Sequence, residues 1–335
     1  MRFTNFLAIT AIGLAGFAAS ASAEDKTLTV YTYDAFTSEW GPGPAIKEAF
    51  EAQCGCRLEY VAIDSSIGVL SRLRLEGESN KADVVLGLDL NLMAEAKESG
   101  LFAPHAVTPK NLALPVDWND EIFLPFDYGY FAFVYDTETL DKPPASLKEL
   151  VEAPDDLKII VQDPRSSTPG LGLVLWVRSV YGDDAPAAWQ KLARKTVTTT
   201  KGWSEAYGLF LEGEAPLVLS YTTSPAYHMI AEEQQRYQAA GFAEGHYMQV
   251  EVAAMTKSTD DPELARQFLQ FMLSPDFQGV IPTGHWMYPV IDLPDGLPPA
   301  YDKLVDPAKP LLFTPEEVAS KRKAWVEEWL QAVSQ

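Results

Sequence analysis

Cysteine is nearly absent from this chain of 335 residues: there are two, Cys54 and Cys56, with a single glycine between them. So few thiols exclude a disulfide framework and any thiolate-rich metal centre. The four histidines, His105, His228, His246 and His285, lie far apart in sequence without metal-site spacing, and no metal is expected. Catalytic signatures are missing too. The chain has no Gly-x-Ser-x-Gly, no His-Glu-x-x-His and no P-loop, so the corresponding reactions have no support. A thiol is the one remaining candidate nucleophile. The cysteine pair, however, precedes the strand expected at 57–63, at the end of the sheet opposite the edge where such folds bind ligands. In an oxidising compartment the pair is expected to close on itself, the glycine easing the turn.

Positive charge is also scarce. Lys and Arg number 26 against 47 acidic residues, a formal net charge of −21, and no basic cluster marks a nucleic-acid footprint. Such a field favours cationic ligands, although a local group of donors can still hold a phosphate. Long apolar runs are missing after the first residues. The opening MRFTNFLAITAIGLAGFAASASA has one cation at Arg2, an apolar stretch over 6–19 and the small residues Ala21-Ser22-Ala23. That pattern predicts a secretory signal peptide over 1–23, too short and wrongly flanked for a membrane anchor, and a mature chain from near Glu24 that does not span a membrane. No short-period repeat and no low-complexity linker is present. With 47% hydrophobic residues, the chain has enough apolar material for two lobes with their own cores.

Strand-like and helical runs alternate from the mature start: strands at 28–33, 57–63 and 83–88, helices at 44–53, 66–77 and before Gly100. Alternation of this kind predicts an α/β fold with mainly parallel sheets flanked by helices. Asp34, Asp64-Ser65-Ser66 and Asp89 follow those strands and belong on one rim, outside their carboxyl ends. The aromatic run 127–135 reads as a strand crossing into a second α/β series, with strands at 158–162, 196–200 and 216–220. The strand at 248–256 reads as the return crossing. The boundaries expected are therefore 24–127 for the first part of lobe 1, 128–252 for lobe 2, and 253–335 for the rest of lobe 1 with a C-terminal helix over 315–333. With no linker, lobe motion would be a hinge in the two crossings, and a ligand cleft is expected between the lobes.

The residues that carry chemistry gather on that rim. In 201–228, KGWSEAYGLFLEGEAPLVLSYTTSPAYH, Ser204 reads as a helix N-cap with Trp203 before it, and Tyr221-Thr222-Thr223-Ser224 leads from a strand into a helix. Asp163-Pro164-Arg165-Ser166-Ser167-Thr168-Pro169-Gly170 precedes an apolar helix. Its hydroxyls and the free N–H groups there could receive an anion or a hydroxyl, or could simply cap the helix with Pro169 in its first turn. Tyr33, Trp203 and Tyr221 together suit a flat cationic heteroaromatic. Each cation-π contact contributes about 0.5–2 kcal/mol, and stacking on a base about 1–3 kcal/mol.

The segments LTVYTYDAFTSEWGPGP, KADVVLGLD, PFDYGYFAFVYD, QDPRSSTPGLGL, KTVTTTKGWSEAYGLFL, VLSYTTSPAYH and IPTGHWMYPV span the mature chain. Through them it resembles the periplasmic thiamine-binding proteins of bacterial ABC importers, within the type II solute-binding fold. The resemblance implies a two-lobed periplasmic receptor, not an enzyme, that closes on thiamine and its phosphate esters and delivers it to a membrane permease with its ATPase. It implies no cofactor. Carried over, Tyr33, Trp203 and Tyr221 would hold the rings. Ser167 and Thr168, with Thr222, Thr223 and Ser224, would receive the hydroxyethyl or phosphate end. Where relatives carry Asp-Gly after the second strand this chain reads Ser65-Ser66, and whether Asp64 takes over a carboxylate contact is open. Two rivals share the fold. Thiaminase I needs a cysteine nucleophile in the cleft, and ferric receptors use adjacent tyrosines, a pair this chain lacks.

Overall fold

The computed structural model describes residues 26–307 and 309–334. The signal peptide expected over 1–23 lies outside them. The first series runs β1 (Thr27–Tyr33), α1 (Asp34–Thr37), α2 (Gly43–Cys54), β2 (Arg57–Ile63), α3 (Ser66–Glu76), β3 (Val84–Asp89), α4 (Met93–Glu98) and the long β4 (Leu124–Asp136). The second runs α5 (Leu147–Glu152), β5 (Ile159–Gln162), α6 (Thr168–Tyr181), α7 (Ala185–Lys195), β6 (Thr196–Thr200), α8 (Trp203–Leu211), β7 (Leu217–Tyr221), α9 (Pro225–Ala231), β8 (Tyr237–Ala239) and β9 (His246–Met255). The chain closes with α10 (Pro262–Phe271), α11 (Pro275–Gln278), β10 (Tyr288–Pro289), β11 (Pro310–Leu311) and α12 (Pro315–Val333).

The strands form one sheet in the order β2-β1-β3-β9-β4-β7-β5-β6. β1 lies parallel between β2 and β3, and β5 lies parallel between β6 and β7, each group the core of an α/β half. Two antiparallel strands join the halves. β4 pairs with β9 through Leu124 to Tyr130 and with β7 through Phe131 to Tyr135, so one strand changes partner midway. β9 is buried along its whole length, because β3 and β4 flank it and helices cover its faces. These are the two crossings expected from the sequence.

Local signals explain most element ends. α2 stops at Gly55, whose positive φ of 62° permits the left-handed turn that returns its N–H to the Glu51 carbonyl. Ser65, Ser167 and Thr314 cap α3, α6 and α12 with their side chains. The expected cap at Ser204 is corrected: α8 begins at Trp203 with Gly202 as its N-cap, and Ser204 lies inside the first turn. The extended Gly202 lets Thr200 donate its hydroxyl to the Gly202 carbonyl, so the turn is fixed before Ser204 is reached.

Each half has its own core. Leu28, Val30, Phe36, Phe50, Phe126 and Phe268 pack under the first half. Phe131, Phe133, Trp176, Trp189 and Leu219 pack under the second, together with Val318, Trp325 and Trp329 of α12. At Gly172 a Cβ would fall on the Phe131 ring, so glycine lets α6 close against β4. α12 fastens both halves: Arg178 of α6 reaches Glu328 at 3.0 Å, and Arg322 reaches Glu95 of α4 at 2.8 Å. Cys54 and Cys56 form a disulfide at the amino end of β2.

Candidate functional site

The carboxyl ends of β1, β2, β5, β6 and β7 deliver their loops to one place. β2 and β6 are the outermost strands of the main path, yet Lys201 after β6 pairs with Asp64 after β2. The sheet halves therefore turn their carboxyl edges toward each other, and that gap is the cleft. Ser65 is committed as the cap of α3, accepting from the Gly68 N–H at 3.0 Å, and Ser66 is buried in the first turn.

On the second half the loops brace one another. Ser166 donates to the Lys201 carbonyl at 2.8 Å, and the Asp163 N–H reaches the Thr200 carbonyl at 2.9 Å. Ser167 and Thr168 open α6 and are buried, Ser167 accepting from Gly170 N–H at 3.5 Å. The indole of Trp203 stacks on Tyr207, ring centroids 4.9 Å apart and 25° from parallel, and its N–H donates to Ser220 at 2.7 Å. Ser220 and Ser224 share a hydrogen bond at 2.7 Å, and Ser224 also accepts from the Tyr221 N–H. Ser224 is thus spent on shaping its own loop. Thr222 and Thr223 are fully buried, and neither hydroxyl has a protein partner.

Tyr33 and Tyr221 approach from opposite halves. Gly87, at φ 95°, leaves the room that the Tyr33 ring fills, where a Cβ would collide with it. The Tyr33 hydroxyl donates to Glu251 of β9 at 2.7 Å and lies 2.9 Å from His285 Nε2. The Tyr221 hydroxyl donates to Gln249, also of β9, at 2.9 Å. Burial, then the charges of Glu251 and Asp127, hold both phenols well above their ordinary range, so both stay neutral donors.

Asp127, Gln249, Glu251 and His285 were not expected as site residues. The signal for two of them was present: Gln249 and Glu251 alternate along one face of a fully buried strand that is apolar over the rest of its length after His246. His285 Nε2 lies 3.2 Å from Asp127 and 3.1 Å from Glu251. Burial alone would lower its pKa, but the two carboxyls outweigh burial and raise it to about 10. Burial, then Glu251, pushes Asp127 up to about 8, and burial with Glu251 pushes Asp89 up to about 7. The donor atoms of Asp127, Glu251 and His285 lie within 4.8 Å of one another, as a metal would require. With its pKa raised, His285 favours the protonated form, which donates toward the carboxyls rather than ligating a metal, and the trio reads as an ion-paired cluster.

Trp286 was quoted within a segment but given no role. It ends a short π-helical turn, Ile281–His285, in the left-handed region at φ 61°. A bulky residue there is strained by roughly 1–2 kcal/mol. Its ring lies edge-on to Tyr227 of α9 at 5.3 Å, a further contact between the halves. Two surface hollows lie away from all these groups. One of about 400 Å³ sits by Lys47, Gly55 and Arg57, and one of about 300 Å³ sits between the ends of α4 and α12. The first lies at the amino end of β2, and the second, beside Trp118, Asn119 and Phe313, includes none of Tyr33, Trp203 or Tyr221, so the cleft, not the larger hollow, is the candidate site.

Residues 39–279 match the family of bacterial extracellular solute-binding proteins. The chain is 61% identical over 307 residues to the thiamine-binding periplasmic protein of Escherichia coli (strain K12), covering 92% of this chain and 93% of that one. It superposes on a solved periplasmic thiamin binding protein with a TM-score of 0.91 at 59% identity, covering 96% of this chain and all of the other. Iron-bound HitA from Pseudomonas aeruginosa shares the fold, with a TM-score of 0.76 at 21% identity over 91% of this chain and 99% of that one.

Proposed function

We infer that this chain, which belongs to the bacterial extracellular solute-binding proteins and among them to the thiamine-binding periplasmic proteins, is a periplasmic receptor that captures thiamine for an ABC importer. It is a carrier of its ligand and not an enzyme, and it uses no cofactor. The thiaminase alternative has nothing to act with, since Cys54 and Cys56 are bonded to each other at the amino end of β2.

The observation that carries the reading is the convergence of Tyr33 and Tyr221 from the two halves onto one face of β9. A flat cationic ring system is the ligand such a pair accepts, with Trp203 as a third ring braced by Tyr207 and Ser220. Around them we assign Ser167, Thr168, Thr222 and Thr223 to the hydroxyethyl or phosphate end. The buried, unpartnered hydroxyls of Thr222 and Thr223 support this, because an unpaired buried hydroxyl costs about 1–3 kcal/mol. Ser224 supports that loop. Asp64, held by Lys201, and Ser65-Ser66 form the rim opposite. On this reading the monophosphate and diphosphate are ligands too, and a permease with its ATPase receives them. The lobes we propose are 24–127 with 253–335, and 128–252, hinged in β4 and β9, with α12 packed on the core of the second as well as tied to α4 of the first.

Calorimetric titration of the mature protein with thiamine, with mass analysis of the recovered ligand, tests this. Submicromolar binding with intact thiamine is expected; cleaved thiamine or no binding would overturn it.

A further inference from the structure

Behind the two tyrosines lies a set of groups that ring-holding does not require. Glu251 accepts from Tyr33 at one carboxylate oxygen, and His285 stands beside that same oxygen. Its other oxygen accepts from Gln249 at 2.9 Å, and Gln249 in turn accepts from Tyr221. One carboxylate therefore holds in register the rings that β1 and β7 bring in. Asp127 is different. It is fully buried, and apart from His285 Nε2 at 3.2 Å no donor is directed at either of its oxygens. A buried carboxyl so sparsely supplied is unfavourable, and an apolar residue of similar size would suit the fold better.

Charge counting gives this arrangement a purpose. Two carboxyls share one imidazole, and neither pairs with Lys or Arg among the described residues. The other titratable groups that face Asp127 and Glu251 are Tyr33, Tyr221, Tyr301 and Asp89, from β1, β7, the segment after β10 and β3. None of them brings a positive charge.

We propose that Asp127, Glu251 and His285 set the preference of the site for a cationic ring: they hold one more carboxyl than cation directly behind Tyr33 and Tyr221, a deficit that a thiazolium between those rings completes and a neutral isostere does not. The inference rests on the thiamine reading above. Asp127 and His285 touch no ligand on this view and act through the field, while Glu251 also positions the rings. Because burial raises Asp127, its proton is one that a neighbouring cation displaces near neutral pH.

The test is calorimetric titration of the wild type, Asp127→Asn and Glu251→Gln with two ligands: thiamine, and its neutral analogue with thiophene in place of thiazolium. Asp127→Asn keeps the shape and holds no ring, so ring positioning does not enter its result. The wild type is expected to prefer thiamine, and Asp127→Asn to reduce the thiamine-to-analogue ratio by about tenfold or more, mostly through thiamine. Glu251→Gln should move the ratio the same way and also weaken the analogue by about threefold, since it loosens Tyr33. Melting of the unliganded variants checks folding, and if one fails to fold the ratio in the other decides. A ratio unchanged within about twofold, or equal losses for both ligands, would overturn the inference while leaving the receptor reading intact. A wild type that bound neither ligand would overturn the receptor reading, and the inference with it.

Discussion

Lys201 and Asp64 pair across the mouth of the cleft, joining the loops that follow the two outermost strands of the sheet path. Both side chains are well exposed, so the pair contributes little to folding. It does tie one rim to the other. Lys201→Ala is therefore expected to leave the melting temperature within about 1 °C and to speed thiamine release by roughly two- to fivefold, an effect that salt reproduces in the wild type. Stopped-flow displacement at low and high salt measures it, and a release rate indifferent to both changes would rule out a latch.

Trp203 is braced by Tyr207 stacked on its face and by the Ser220 hydroxyl at its N–H edge. Replacing it with alanine should weaken thiamine binding by at least about tenfold, or about 1.4 kcal/mol, with the fold retained. Trp203→Phe should recover most of the loss, because the stack on Tyr207 remains. Unchanged affinity in Trp203→Ala would remove this ring from the site.

Ser167 and Thr168 start α6, where free N–H groups and hydroxyls coincide. The double change Ser167→Ala, Thr168→Ala should lower stability by about 1 kcal/mol through the lost cap. If these hydroxyls receive phosphate, it should also weaken the monophosphate more than free thiamine. Equal losses for the two ligands, measured side by side, would confine both residues to capping.

Stability should fall on the alkaline side. His285 holds its proton more tightly folded, at about 10, than its ordinary value of 6.5, so its contribution is complete below about 6.5 and is lost as the pH rises through about 10. Asp127, raised from 3.8 to about 8, acts in the same direction at lower pH. The melting temperature of the ligand-free protein is expected to drop by at least about 5 °C between pH 6.5 and 10, and His285→Gln to flatten the upper part of that decline. A level profile in the wild type would contradict the ion-paired cluster.

Cys54 and Cys56 sit at the end of β2 remote from the cleft. Reduction, or Cys54→Ser with Cys56→Ser, should leave thiamine affinity within about twofold and stability slightly lowered, since so small a loop adds little constraint to the unfolded chain. Loss of binding would reopen a role for the thiols.

Local order was legible in the sequence. β2 and β6 occupy the expected residues, as does α12, because alternation over a strand and apolar spacing over a helix are set within a few residues. The two-residue β10 and β11 and the π-helical turn at Ile281–His285 were not foreseen, being too short to carry a period. Caps were read in part: before α6 the sequence leaves both a receptor and a simple cap open and Ser167 does cap the helix, whereas Gly202, not Ser204, begins α8. Tyr33, Trp203 and Tyr221 could be placed on one rim from strand ends alone, because in a parallel sheet every carboxyl end points the same way.

What only the tertiary structure decided is how the rim is wired. Asp127, Glu251 and His285 come from β4, β9 and the turn before β10, and no periodicity links them. Their meeting depends on β4 and β9 lying side by side through both halves, a non-local pairing fixed by the cores under each half. Sequence by itself determined the segments, their order and the rim that carries the rings, since those follow from short-range backbone and side-chain preferences. The charge buried behind the rings, and the contacts of Lys201 with Asp64 and of Trp286 with Tyr227, exist only once the two halves face each other. They are products of long-range packing, which no local pattern encodes.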